Sequence, residues 1–414
     1  MKGARRILCG LLMLGTVAFA SDSWFDRIDQ ALTFSTLEDR LRARVSGTLD
    51  LEGYHLYQPA PALIYTRGKN LFNPRLSLFL DAQWGDEIYA FAHARLDRGF
   101  DPSEAGARLR LDEYAVRFSP AGAFNVQVGK FATIVGNWVP RHGSWANGFV
   151  TAPLPYENLT AIWDTAAARS TATLLNWAHV GANGLPSDEY PEKPLRAPII
   201  WGPSYAQGVA VFGEVASFNY SIELKNASLS SNPEVWAGQE DHWRHPTVSA
   251  RLGYQPNEMW RFGFSASTGS YLRSSAEGTI LPGRSLGDYR QTVFAQDVSF
   301  AWHHWQLWAE AFEARFAIPG VGDADTFAYY VEAKYKITPQ FFGALRWNQQ
   351  SYGTMTNSAG QPVHWGRNAW RIDVAPTYRF TPHLQAKLQY SLQHESNGPR
   401  RYGHRWAAQF VLRF

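Results

Sequence analysis

From about residue 41 to the C-terminus the chain is a succession of two-residue alternations, and this pattern limits its fold more than any other feature. Leu384, Ala386, Leu388, Tyr390 and Leu392 interleave with Gln385, Lys387, Gln389, Ser391 and Gln393. Phe327, Tyr329, Val331, Ala333 and Tyr335 interleave with Ala328, Tyr330, Glu332 and Lys334, and Phe218, Tyr220, Ile222 and Leu224 with Asn219, Ser221, Glu223 and Lys225. Val248, Ala250, Leu252 and Tyr254 repeat the pattern around Ser249, Arg251 and Gly253. Neighbouring side chains on a strand face opposite ways, so each segment has one apolar and one wet face. Each is close to the roughly 9–11 residues that cross a bilayer as a tilted strand.

A soluble sandwich also alternates, so the segment ends have to decide. Aromatic residues crowd them: Trp84, Phe118, Tyr254, Trp260, Trp302, Trp305, Tyr335, Phe341, Tyr378 and Phe380. Such rings belong at a membrane–water interface. Connections alternate between short (85–87, 255–258, 303–304, 337–340, 381–383) and long (58–71, 132–157, 180–206, 228–245, 271–288, 351–366). Transmembrane barrels have short periplasmic turns and long external loops. With 17 Trp, 19 Tyr, 25 Phe and 34 Gly beside only 4 Met, the composition also favours strands over helices.

Residues 1–20, MKGARRILCGLLMLGTVAFA, have a basic start (Lys2, Arg5, Arg6), an apolar stretch from Ile7 to Phe19 and a small-x-small end at Ala18-Phe19-Ala20. This is expected to be a secretory signal peptide. Cys9 precedes most of the apolar stretch, where a lipidation site would follow it. Removing Lys2, Arg5 and Arg6 brings 39 basic residues down to 36 against 36 acidic ones, so the mature chain is formally neutral and gives no sign of nucleic-acid binding. It also has no Cys, which excludes disulfides and thiolate metal sites. Residues 21–40 follow as a short periplasmic segment, with a small helix expected in SWFDRIDQALTF from Trp24, Phe25, Ile28 and Leu32.

The chain ends on the strand Trp406, Ala408, Phe410, Leu412 and Phe414. That terminal Phe resembles the C-terminal signature of Gram-negative outer-membrane β-barrels, and the resemblance implies the outer membrane as destination. The expected fold is all-β, a single antiparallel up-and-down transmembrane barrel over 41–414. Strands are expected near 42–56, 73–84, 88–97, 108–118, 123–131, 158–164, 169–179, 207–216, 218–227, 246–255, 259–269, 290–302, 305–316, 326–336, 340–350, 367–380, 384–396 and 404–414. That makes eighteen, or sixteen if 158–164 and 169–179 are loop. Both counts are in the porin range, where an aqueous lumen remains.

Parity assigns Lys225, Arg251, Arg261, Lys334, Arg346, Arg371, Arg379, Lys387, Arg405 and Arg413 to the lumen, against Asp81, Glu214, Glu223, Glu332, Asp373 and Glu395. Ten against six in a neutral chain suggests mild anion preference. The loop 132–157, ATIVGNWVPRHGSWANGFVTAPLPYE, resembles the long loop that folds inward in porins, and Trp138, Arg141, His142, Trp145 and Glu157 would then line a constriction. An external cap is the other reading. A saccharide path along Trp138, Trp145, Trp177, Trp201, Trp236, Trp243, Trp347 and Trp365 competes with an interfacial belt.

Residues 394–398, His-Glu-Ser-Asn-Gly, resemble the active-site segment of outer-membrane phospholipase A and are similar to that of outer-membrane lipid A deacylases. The resemblance implies His394 as base and Ser396 as nucleophile. Asn368, opposite across the hairpin, could orient the base. The families' Asn or acidic residue about a dozen positions downstream is missing; RWAAQF stands there. A polar strand end entering a turn explains the same residues. His242 and His245 read as loop histidines, 97–102 as a turn with a local ion pair, and the sequons at Asn158 and Asn226 carry little meaning in such a protein. No metal, cofactor, phosphate loop or dinucleotide motif is indicated.

The expected function is a porin-like channel for passive diffusion of small hydrophilic solutes. The expected partners are outer-membrane lipid, lipopolysaccharide, the solutes and, by resemblance to porins, two further copies in a homotrimer. An exopolysaccharide export or structural barrel is one alternative; a lipid hydrolase using His394 and Ser396 is the other.

Overall fold

The computed structural model describes residues 22–36, 38, 40–57, 63, 68–98, 106–179, 196–233, 243–396 and 402–414. The expected signal peptide, Asn397, Gly398, Trp236, His242 and residues 99–102 lie outside them.

Sixteen antiparallel strands close into one barrel. In chain order they are β1 (Leu41–Leu56), β2 (Asn70–Trp84), β3 (Ile88–Asp97), β4 (Arg108–Ala121), β5 (Phe124–Phe131), β6 (Ala206–Val215), β7 (Phe218–Lys225) and β8 (Thr247–Tyr254). They continue as β9 (Trp260–Ser270), β10 (Arg290–Trp302), β11 (Trp305–Ile318), β12 (Gly322–Lys336), β13 (Phe341–Tyr352), β14 (Ala369–Thr381), β15 (Leu384–Glu395) and β16 (Tyr402–Arg413). Each pairs with the next, and β16 returns to β1 from Arg405↔Leu56 to Arg413↔Thr48. The helix α1 (Asp22–Ala31) and a four-residue strand, Thr33–Thr36, precede β1, and the short strand pairs with its first residues. At the periplasmic rim Arg44 donates to Asp29 of α1 at 2.7 Å.

The alternation becomes two faces with opposite chemistry. On β13, Phe342, Ala344, Arg346, Asn348, Gln350 and Tyr352 turn inward and are buried, while Leu345 and Trp347 turn out. Leu80, Val116, Val128, Ile222, Leu252, Phe264, Val331, Leu345 and Leu388 stand exposed on the outer face, as a lipid-facing band requires. Trp84, Phe118, Tyr254, Trp260, Trp302, Trp305, Tyr335 and Tyr378 are exposed beside the short turns and form the lower aromatic girdle.

Eighteen strands is corrected to sixteen. Residues 158–164 form no strand beyond one bridge, Trp163 to Arg196. Residues 171–179 form the helix α2 (Thr171–His179). Its sequence carries a helical signal that the alternation count overlooked. Leu174, Trp177 and Ala178 are buried at spacings of three and four, and Ser170 Oγ accepts the Thr173 N–H at 3.1 Å as a cap.

The inner face of β10–β13 is partly apolar as well. Val293, Ala295, Phe312, Ala314, Ala328 and Tyr330 pack against Val135, Trp138, Val139, Ala152, Tyr156, Ile199, Ile200 and Leu229 from the connections. Higher up, Phe316, Ile318 and Tyr352 meet Trp163, Leu174, Trp177, Tyr271, Tyr289 and Trp365 in a dry external lid. A strand wall that is apolar on both faces needs a dry partner inside, and the long connection between β5 and β6 supplies it.

Candidate functional site

Residues 132–157, the first part of the connection between β5 and β6, enter the lumen from the outer end and cross it. Their entry is set by Gly136, at φ +81. A Cβ there would strike the Tyr156 hydroxyl and lie 2.9 Å from Glu310 Oε1, so only glycine lets the backbone reach the wall. The Glu310 carboxylate accepts the backbone N–H of Asn137 and of Trp138 (2.7 Å), and the Tyr156 hydroxyl at 2.6 Å. Arg141 donates to Glu332 at 2.7 Å and lies over the Trp308 ring.

Further along, the loop's backbone is satisfied by the inward polar row. Gln389 Oε1 accepts from the N–H groups of Val150 and Thr151, and Asn348 Oδ1 from that of Leu154. Arg346 Nη2 donates to Thr151 O at 3.0 Å and Arg371 Nη2 to Ala152 O at 2.5 Å. Lys387 donates to the carbonyls of Ser144 and Asn147. Glu157 Oε1 accepts from both Arg371 and Arg405. At the loop tip the Trp145 ring is held by Arg413 at 4.1 Å and Arg379 at 4.8 Å. A buried loop needs partners for its backbone polar groups, and these side chains provide them.

The expected lumen residues therefore fall into several groups. Glu332, Arg346, Arg371, Asp373 and Lys387 do face inward, but they lie beneath the loop, nearly inaccessible to water. Arg346 and Arg371 both bond Asp373. Lys334 sits over the Phe342 ring. Arg251 pairs with Asp297 on the neighbouring wall at 2.5 Å, and Arg261 is exposed on the periplasmic side of β9. Trp138, Arg141, His142, Trp145 and Glu157 all belong to the inward loop; Arg141 and Trp145 serve to hold it, while Trp138, His142 and Glu157 reach the remaining space.

That space lies against β1–β3. A cavity of ≈ 90 Å³ runs between the loop and the wall, bounded by Glu52, Tyr54, Asn73, Arg75, Arg95 and Asp97 on the barrel side. Glu52, Arg95 and Asp97 belong to short charged pairs bracketing a leucine, a pattern seen in Asp50-Leu-Glu52, Arg95-Leu-Asp97 and Arg110-Leu-Asp112. Two charges at i and i+2 share one face of a strand, so each pair points inward together. Arg75 bonds Asp50 (2.8 Å) and Glu52 (2.5 Å). Arg95 bonds Asp97, and Arg110 bonds both Asp97 and Asp112. A register shift between His93 and Ala94 brings the consecutive acids Asp112 and Glu113 both to interior partners, the Ala132 N–H being that of Glu113. Unlike the buried row, Arg75, Arg95 and Arg110 keep 13–19% of their side chains accessible. His142 stands at the edge of this space. Its Nδ1–H donates to Val139 O and its Nε2 accepts the Tyr205 hydroxyl at 2.9 Å. Burial pushes this imidazole down to about 4, so it is neutral at pH 7.

Sequence reasoning missed Glu310, Asp50, Glu52, Arg75, Arg95 and Arg110. The charged pairs around leucine were a usable signal. The inward Val293, Phe312 and Phe316 were another, since an aqueous lumen would not be lined that way.

The lipase-like residues are placed otherwise. His394 points outward in a ladder of rings: it stacks on Trp370 at 5.5 Å, which stacks on Trp347, and it meets Tyr402 edge-on. This is the outer interfacial girdle. Ser396 N–H donates to Asn368 O, and Asn368 Oδ1 is taken by the Tyr352 N–H. Among the described residues no hydrogen bond joins His394 to Ser396. Of the tryptophans that could have formed a sugar track, Trp177, Trp201 and Trp365 are buried in the lid or loop, and Trp243 is exposed.

A closed sixteen-stranded wall with an apolar outer face around a folded-in loop is a porin-like β-barrel fold. Solved structures share the architecture across nearly the whole chain. OmpF of Salmonella typhi in complex with daunomycin is 13% identical with a TM-score of 0.56, covering 92% of this chain and 100% of that one. An anion-selective porin from Comamonas acidovorans is 9% identical with a TM-score of 0.56, covering 90% and 100%. The outer-membrane channel DcaP of Acinetobacter baumannii is 9% identical with a TM-score of 0.54, covering 92% and 99%. No protein-family model and no curated protein matches the sequence.

Proposed function

We propose that the protein is an outer-membrane channel passing small hydrophilic solutes by diffusion, along the path the inward loop leaves open beside β1–β4. The observation that carries this reading is the asymmetry of the loop: it is bonded densely to β10–β16, touches β1 and β4 through Ser144 to Asp50 and Ala132 to Glu113, and between these leaves a cavity against a charged, partly accessible wall. The narrowness of the path supports a low conductance. The expectation of mild anion preference is carried forward in weakened form. Along the path Arg75, Arg95 and Arg110 are matched by Asp50, Glu52, Asp97 and Asp112, which supports weak ion selectivity. The buried lid tryptophans lend a saccharide track little support.

A homotrimer is the proposed assembly. OmpT of Vibrio cholerae, which has the same architecture with a TM-score of 0.54 and 9% identity, is described in a trimer form. The outer face of β2–β3 offers small residues, Ala82, Ala90, Ala92 and Ala94, on which a neighbouring barrel can lie closely. Lipid and lipopolysaccharide are the proposed surroundings of the two aromatic girdles.

The test is single-channel recording of the refolded protein in planar bilayers, with reversal potentials in a salt gradient. Steady, small conductance with a reversal potential near zero is expected; absence of any channel would overturn the reading. Light scattering in detergent reads the assembly, and a monomer would remove the trimer.

A further inference from the structure

The cavity beside β1–β3 has polar atoms left over. Glu157 Oε1 is taken by Arg371 and Arg405, but its Oε2 has no partner among the described residues, and the side chain is 1% exposed. Trp138 Nε1–H likewise has none, on a residue 3% exposed, and Asn73 Oδ1 has none. All three residues bound the cavity. Buried polar atoms of this kind are expensive to leave unpaired. Together they ask for a molecule that donates to a carboxylate and an amide oxygen and accepts from an indole N–H.

The charges around them sharpen that requirement. Glu52, Asp97 and Glu157 bound the same cavity as Arg75 and Arg95. A plain anion entering it meets three carboxylates, and a plain cation meets two guanidinium groups. A solute bearing both charges places each beside its opposite, and charge-assisted hydrogen bonds are the stronger ones. The volume of ≈ 90 Å³ is room for roughly six to nine water-sized atoms at about 10–15 Å³ each.

We propose that this cavity is a binding station for small zwitterions, molecules of amino-acid size, with the ammonium group at Glu157 and Asn73 and the carboxylate at Trp138 and the Arg75–Arg95 side. The station deepens the channel reading and rests on it for its role in transport.

The experiment uses the full refolded chain in proteoliposomes at pH 7, with four solutes of similar size: alanine, propionate, propylammonium and 1,2-propanediol. The readout is each entry rate divided by that of propanediol, which cancels changes in pore width. Alanine is expected to enter at least threefold faster than either singly charged analogue. Glu157→Gln should lower the alanine ratio at least threefold. Because that change also disturbs the two arginines holding Glu157, Trp138→Phe is the second variant; it removes the indole N–H, keeps a ring, and should lower the ratio about twofold or more. Equal ratios for all four solutes, or an alanine ratio unchanged in both variants, would overturn the station and leave the channel standing. Equilibrium dialysis of labelled alanine against the detergent-refolded protein separates the remaining case. Saturable binding without entry of any solute keeps the station and overturns the channel; neither binding nor entry overturns both.

Discussion

The walls β11–β16 and β1–β4 are built from the same materials and do opposite things. Both turn arginines, carboxylates and amides inward. Beneath the loop, Arg346, Arg371, Asp373, Gln389 and Arg405 are sealed from water and bond one another, the backbone of residues 150–152 and the Glu157 carboxylate. Across the lumen, Arg75, Arg95 and Arg110 keep part of their surface wet and bond neighbouring wall carboxylates. The contrast teaches that an inward polar row is not by itself a pore lining. Whether it holds the loop or stays partly open to water depends on where the loop is fastened.

The contrast can be broken most completely at Glu310. Glu310→Leu leaves the Asn137 and Trp138 N–H groups and the Tyr156 hydroxyl without their acceptor, at ~1–3 kcal/mol each. The loop should leave β11, and single-channel conductance should rise several-fold while circular dichroism shows the strands intact. Unchanged conductance would mean that the loop does not set the bore. Gly136→Val should act in the same direction, because its Cβ is driven against Tyr156 and Glu310.

Acid sharpens the comparison next. His142 is held neutral with its imidazole down at about 4, against an ordinary value near 6.5. A base with a lowered folded value gives its full stabilisation above the ordinary value, and loses it as pH falls through the window from about 6.5 to 4. Conductance should therefore rise as pH falls across that window, because the loop loosens where His142 ties Val139 to Tyr205. His142→Phe should flatten the profile, and a profile identical to wild type would remove His142 from the explanation.

A smaller effect belongs to the loop tip. Trp145→Ala removes two cation–π contacts, each worth ~0.5–2 kcal/mol. Flickering of the open-channel current should increase with little change in its mean. The smallest effect belongs to the outer girdle. Ser396→Ala should leave conductance unchanged, and neither wild type nor variant should release fatty acid from labelled phospholipid. Release abolished by Ser396→Ala would revive the hydrolase alternative.

Much of the wall could be read without coordinates. The strand faces on β7, β8, β12 and β15 follow from period-two alternation, and the girdle residues Trp84, Trp302, Trp305 and Tyr335 from their places beside short turns. The errors arose where another local signal competed. Thr171–His179 alternates weakly, yet its buried positions at 174, 177 and 178 have helical spacing. His394 was legible as outward-facing but not as one ring in a stack of four, because Trp347, Trp370 and Tyr402 come from three other strands.

The sequence by itself determined the wall. Side chains alternate because of backbone geometry over two residues, so lipid-facing and lumen-facing sets are written locally. The tertiary structure alone decided what the lumen does. Glu157 meets Arg405 across 248 positions and Tyr156 meets Glu310 across 154, and no local period encodes such pairs. They exist only where the closed barrel surrounds the loop, which is why the wet side and the sealed side of one cylinder look alike in the primary sequence.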